Sequence, residues 1–171
     1  MRDELETSRL LLRRWRAGDL EALAGWHVDP ELMRHMPKLA FTREEMEADI
    51  ERYERHWAEH GFGLWAAEDK EGGKLIGRVG LSYHRVWPDD PEVGWLIDSR
   101  WQGKGLATEA GAACLRYAFG ELRFKRVVSI CTAEKAASRR VMEKLGLRFW
   151  QDIHDSKHDL ALLLHVREHS D

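Results

Sequence analysis

Apolar positions recur every second residue in some stretches of this chain and every third or fourth in others, and the changes of period mark out its elements. Residues 9–15 alternate and are rich in leucine, which predicts a first strand. Asp19 is placed to cap a short helix carrying Leu20, Leu23 and Ala24. Pro30 and Pro37 punctuate the next segment, leaving room for only a brief helix over residues 31–35. Thr42 and Glu45 have capping-box spacing. Behind them Met46, Ile50, Tyr53 and Trp57 share one face of a densely charged helix that Gly61 ends. Residues 63–68 and 74–84 read as two strands, and Asp69-Lys70-Glu71-Gly72-Gly73 between them has turn chemistry, so a hairpin is expected. Pro88-Asp89-Asp90-Pro91 is expected to break the chain before a strand over residues 92–97. Residues 106–122 form a helix with two apolar stripes. Leu106, Ala110, Ala113 and Tyr117 make one; Leu115, Phe119 and Leu122 make the other. A strand over 126–131, a short helix over 136–145 stopped by Gly146, and strands over 147–152 and 160–166 complete the chain. This order predicts an α/β fold, a central twisted mixed sheet flanked by helices on both faces.

At 171 residues with 43% apolar side chains, the simplest organisation is a single domain, residues 1–171. Its 27 basic residues nearly balance 30 acidic ones, for a net charge of -3. That gives no general reason to bind nucleic acid or an anionic membrane. No apolar run approaches the roughly 20 residues of a membrane span. The start, Met1-Arg2-Asp3-Glu4, lacks the apolar core of a signal peptide. Cys114 and Cys131 fall in a helical and a strand pattern and read as buried free thiols. A cytoplasmic location follows from these features. The oligomeric state is open, a homodimer included. Most of the eight tryptophans are expected to fill the core, Trp57 and Trp65 foremost.

One stretch carries chemistry the periodicity does not. Ile97 closes an apolar strand, Leu106 opens a helix, and Arg100, Gly103, Lys104 and Gly105 lie between them. Glycines let a backbone turn tightly and approach a ligand, and a helix start offers unpaired N–H groups with partial positive charge. Together these make an anion cradle. It is not the lysine-containing phosphate loop of nucleotide hydrolases, whose G-x-x-x-x-G-K pattern is absent. Nor is it the dinucleotide fingerprint, whose third glycine is replaced by Thr108.

Arg100-x-x-Gly103-x-Gly105 resembles the R/Q-x-x-G-x-G/A signature of the GNAT superfamily of N-acyltransferases. Glu92-Val93-Gly94-Trp95 before it, Ala107-Thr108-Glu109-Ala110 within it and Ser138 to Leu147 after it resemble the branch of ribosomal-protein N-terminal acetyltransferases. The resemblance runs from Arg9 to about Val166. It implies the GNAT fold, in which the fourth predicted strand, ending at Ile97, and the fifth, starting at Arg126, splay apart to admit the pantetheine arm of acetyl-CoA. It implies that amides of Gly103, Lys104, Gly105, Leu106, Ala107 and Thr108 hold the diphosphate, with Arg100 and Lys104 as secondary charges. Trp95, Leu96 and Ile97 would pair with the pantetheine as with a strand, and an N–H of that strand would polarise the thioester. The activity implied is transfer of acetyl to a primary amine, on a protein N-terminus or a small molecule. A non-catalytic acyl-CoA-binding sensor or assembly module is the alternative.

The chain departs from the family pattern twice. Lys135 stands where an asparagine usually reaches the pantetheine, and Met142 where many relatives have an acidic tyrosine. Ser138 is then the proton donor the branch implies, against its plain reading as a polar residue in a first helical turn. A CoA thiolate is a good leaving group, so an enzymic acid is not obligatory. Glu92 is the candidate base for the amine. An ordinary glutamate, with a pKa of about 4.3, is too acidic for that work and needs burial or a relay water. His84 is the rival base. The His154/His158 pair lies beside carboxylates, yet its surroundings read as a solvated loop rather than a metal site. Trp26 and Trp87 fall near segments that line the acceptor cleft in similar folds.

Overall fold

A computed structural model describes residues 2–27, 29–33 and 42–169. Pro37 and residues 34–35 of the expected second helix lie outside them. Among the described residues eight strands form one sheet: β1 (Glu4–Glu6), β2 (Leu10–Arg13), β3 (Leu64–Asp69), β4 (Leu75–His84), β5 (Trp87–Ile97), β6 (Arg126–Cys131), β7 (Arg148–Asp155) and β8 (Leu160–Glu168). Their order is β1-β2-β3-β4-β5-β6-β8-β7. All neighbours are antiparallel except β5 and β6, which run parallel and share one register pair, Glu92 with Val128. The expected splay is therefore present, and it opens just past Glu92.

The helices are α1 (Leu20–His27), α2 (Pro30–Met33), α3 (Arg43–His60), α4 (Leu106–Gly120) and α5 (Ala136–Lys144). Among the described residues no helix is long and apolar enough to cross a membrane. Helix α3 starts as its sequence dictates: Thr42 Oγ1 accepts the Glu45 N–H, and the Glu45 carboxylate accepts the Thr42 N–H. It ends at Gly61, whose φ of 73° is the left-handed cap.

Two apolar clusters hold the layers together. The larger joins the odd-numbered faces of β4 and β5 (Val79, Leu81, Val93, Ile97) to α4 and α5, and takes in Trp57 and Trp65. The smaller sets Trp15, Leu23, Trp26, Met46 and Tyr53 against Ala66, with partly buried Leu64 and Leu96 packed onto it. Trp26 is thus a core residue, 2% exposed, and not part of a cleft wall. Trp87 lies against Trp150 instead, ring centroids 5.3 Å apart.

Several local expectations change. The first strand is shorter than its alternation predicts and is joined by β1, a three-residue edge too short and too charged to show a period. Asp19 does not begin α1. A single 3-10 turn, Ala17–Asp19, precedes the helix, and the Asp19 carboxylate accepts the Arg16 N–H at 2.8 Å. It also takes two bonds from the Arg13 guanidinium, at 2.8 and 2.9 Å, while Arg13 Nε donates to Glu68 at 2.7 Å. Asp19 bonding comes first in raising the Arg13 pKa above its ordinary value, against the cost of burial. Asp19→Ala leaves the Arg13 guanidinium buried with Glu68 still on its Nε, so it is expected to cost about 3 kcal/mol in urea unfolding, the low end for a broken buried pair.

The Pro88–Pro91 stretch does not break the chain; β5 runs through it. The β4–β5 register skips from Ser82–Glu92 to His84–Trp87, a bulge that leaves residues 88–91 without β4 partners, so neither proline deprives the ladder of a donor. Between the prolines, buried Asp90 accepts from Trp87 Nε1 at 2.9 Å and Arg126 Nε at 3.0 Å. Those partners are remote or only visible in the fold. His154 and Asp155 end β7 rather than sit in a loop. Asp155 is buried against Arg85 and accepts from His158 Nδ1, bonds that hold its carboxyl below the usual range. Cys114 and Cys131 are buried free thiols.

Candidate active site

The strand-to-helix turn is built as a cradle. After Ile97, the Asp98 N–H donates to Ile76 O at 2.8 Å. A 3-10 turn, Ser99–Trp101, follows. Gly103 and Gly105 then adopt φ of 74° and 79°, a region costly for any side-chain-bearing residue. The first amide bonded back into α4 is that of Glu109, to Gly105 O at 3.0 Å. The N–H groups of Leu106, Ala107 and Thr108 are the orphan donors of a helix start.

A second set of residues braces this turn, and of them only Glu109 falls in a motif. Arg9 Nη1 donates to Lys104 O at 2.9 Å, and Arg9 Nε to Glu109 at 2.7 Å. Glu109 also accepts from Thr7 Oγ1 at 2.6 Å and the Arg9 N–H at 2.8 Å. Burial works against the charge of Glu109, yet these bonds hold its pKa below the ordinary value.

A cleft of about 540 Å³ opens from the turn. Trp95, Leu96, Ile97, Gly103, Gly105, Leu106, Ala107 and Thr108 line one side, and Lys135 and Ser138 the α5 side. Arg100 and Lys104 are not on its walls. Arg100 is exposed and bonds both its Nε and its N–H to Asp98 at 2.9 Å. Lys104 Nζ lies 4.7 Å from the centroid of the Trp101 ring.

The ladder decides which backbone groups face the splay. Leu96 pairs with Arg78 and Gly94 with Gly80, in phase with the bonded pair Asp98–Ile76. Bonded and unbonded pairs alternate, so residues 94, 96 and 98 bond to β4. The N–H and C=O groups of Trp95 and Ile97 turn the other way, into the gap beside β6. Leu96 therefore reaches the cleft with its side chain, not its backbone.

A second cleft, about 250 Å³, lies past the splay and shares Trp95, Lys135 and Ser138 with the first. Glu92, His84, Arg78, Ser129, Cys131 and Met142 are among its lining. Glu92 is half-buried, and its Oε1 accepts the Ile130 N–H at 3.2 Å. That amide faces β5 beyond the point where the two strands stop pairing. Burial pushes the Glu92 carboxyl up to about 7, against the opposing pull of the Ile130 bond, Arg78 and Lys135. Burial lowers the Lys135 ammonium in turn. Burial also lowers His84, with Arg85 acting the same way, and His84 Nδ1 accepts the Val86 N–H at 3.2 Å. Among the described residues no group of three or more His, Cys, Asp or Glu is arranged to hold a metal.

Known proteins share this fold. Residues 9–148 match the family model for an acetyltransferase (GNAT) domain. An uncharacterised N-acetyltransferase of Bacillus subtilis, YnaD, is 32% identical over 144 residues, covering 84% of this chain and 82% of that one. The solved structure of a GNAT-family acetyltransferase from Bacillus anthracis superposes with a TM-score of 0.80 at 25% identity, covering 96% and 98% of the two chains. A ribosomal L7/L12 alpha-N-protein acetyltransferase in complex with coenzyme A gives a TM-score of 0.79 over 96% and 97%; at 16% identity that likeness is one of fold.

Proposed function

The chain belongs to the GNAT acetyltransferase family, and on that premise we propose that it transfers acetyl from acetyl-CoA directly to a primary amine, with Glu92 as the base. The observation that carries this reading is the meeting of two clefts at Trp95, Lys135 and Ser138, with Glu92 on the wall of the second. The diphosphate lies on the amides from Gly103 to Thr108, with Lys104 adding charge at the turn and Arg100 held to Asp98. Pantetheine amides pair with the inward backbone groups of Trp95 and Ile97, and the Trp95 N–H is placed to polarise the thioester. The amine nitrogen attacks the thioester carbonyl carbon, the C–S bond breaks, and CoA departs as a thiolate. Glu92 takes the amine proton, which a carboxylate with a pKa of about 7 does far better than an ordinary one. Ser138, at the junction of the clefts, donates to the departing sulfur. Alignment of amine and thioester in one ternary complex supplies a large part of the rate. The buried free thiols suit a reducing cytoplasm.

A free-thiol assay with acetyl-CoA and a panel of primary amines tests this. Amine-dependent CoA release is expected. Tight CoA binding with no release on any amine would instead make the protein an acyl-CoA-binding module.

A further inference from the structure

The second cleft has a floor with a definite polarity. Along the face shared by β4 and β5, the register sets Ser82 opposite Glu92, Gly80 opposite Gly94 and Arg78 opposite Leu96. Gly94 leaves its part of that face bare: a side chain there would meet nothing within 4 Å and would project into open space, whereas over Gly80 the backbone of Gly63 and Leu64 already covers the face. So the floor is a shallow trough, with the base at one end and Arg78 at the other, on the order of 13 Å apart along the strand before side-chain reach is counted.

Arg78 is half-buried, and its side chain has no hydrogen bond or ion pair among the described residues. Its guanidinium lies over the Tyr53 ring, 5.5 Å from the centroid. Arginines held this far from water ordinarily have an acidic partner, as Arg13 has in Asp19 and Glu68. Lys135 lines the same cleft. Two cationic side chains thus face one carboxylate that must be free to take a proton.

Resting on the acetyl-transfer reading, we infer that the acceptor is a small primary amine carrying a carboxylate or phosphate a few bonds from its nitrogen, with that anion bound by Arg78. The planar guanidinium suits a two-point bond to either anion. The amine end then lies toward Glu92, next to the thioester. The same charges select against polyamines, whose further ammonium groups would sit beside Arg78 and Lys135 uncompensated. A cleft of about 250 Å³ also falls below the ~300–1,000 Å³ of drug-sized ligand sites.

The test compares kcat/KM, by thiol release, for an amino acid, its carboxamide, and an aminoalkyl phosphate with its uncharged alcohol. Wild type should prefer each anionic amine over its neutral match by roughly tenfold to a hundredfold, the usual worth of a charge-assisted bond. Arg78→Gln should erase that preference, lowering the anionic substrates while holding the neutral ones within about threefold, and Arg78→Lys should restore part of it. Equal use of matched pairs by wild type overturns the inference and leaves acetyl transfer standing. A loss in Arg78→Gln that falls equally on both members also overturns it, since that is what a merely structural arginine would give. Should no amine release thiol, the transferase reading fails, and calorimetric titration of the acid against its amide still decides what Arg78 binds.

Discussion

Glu92→Gln is expected to lower kcat by roughly 10²–10⁴, the usual worth of a positioned general base, and to remove from kcat/KM a limb rising through about pH 7. The limb follows from the direction of the shift. Burial disfavours the carboxylate and pushes its pKa up to about 7. Below that pH the group is protonated and cannot accept the amine proton; above it the base is present. The acceptor's own ammonium adds a separate limb at higher pH, which the variant keeps. His84→Ala separates the two candidate bases. If Glu92 is the base, that substitution leaves the limb near pH 7 in place; a limb lost with His84 and kept in Glu92→Gln would reverse the assignment. Stability supplies an independent readout. Ionisation of Glu92 costs the folded state more than the unfolded one, so wild-type stability declines as pH rises from the ordinary pKa of 4.5 through about 7. The amide escapes that decline while still accepting the Ile130 N–H. Glu92→Gln should therefore outlast wild type in urea at pH 8 by as much as ~3 kcal/mol, the gap closing toward pH 4. A less active but more stable variant marks a residue kept for chemistry rather than for the fold.

What the sequence disclosed was local. Thr42 and Glu45 satisfy each other's backbone within one turn, and Gly103 and Gly105 carry their conformational meaning in their identity. Such features survive as spacing along a line. The residues that escaped notice draw their meaning from partners far away. Arg9 reads as the polar member of an alternating strand until Lys104 and Glu109, about a hundred residues on, are brought against it. Pro88 and Pro91 read as a break because the bonds to Asp90 come from Trp87 and from Arg126 on another strand. Arg78 sits in β4 with nothing to distinguish it from any solvated strand residue. Only the sheet register shows it at the end of a trough whose open middle lies over Gly94. The catalytic candidates were legible through family resemblance, but the reason Glu92 could serve as a base was not. That reason is burial beside the splay of β5 from β6, which raises the carboxyl against the opposing pull of the Ile130 N–H.

Gly103→Glu should abolish CoA binding while the fold persists. A side chain at this position meets nothing within 4 Å, so the substitution crowds no core atom, and its structural cost is confined to holding a φ of 74°, roughly 1–2 kcal/mol. The functional cost is larger. The glutamate would stand at the mouth of the turn whose amides, from Gly103 to Thr108, are proposed to take the diphosphate, and a carboxylate there replaces the attraction of a helix start with repulsion between like charges. Gly103→Ala isolates the backbone contribution. It carries the same strain without the charge, and since that strain falls on the folded protein with or without CoA, it should leave CoA affinity within about tenfold of wild type. Calorimetric titration with CoA reads both variants, and far-UV circular dichroism verifies that each is folded. Undiminished CoA affinity in folded Gly103→Glu would remove the diphosphate from this turn, and with it the register that sets pantetheine beside Trp95 and the thioester beside Glu92.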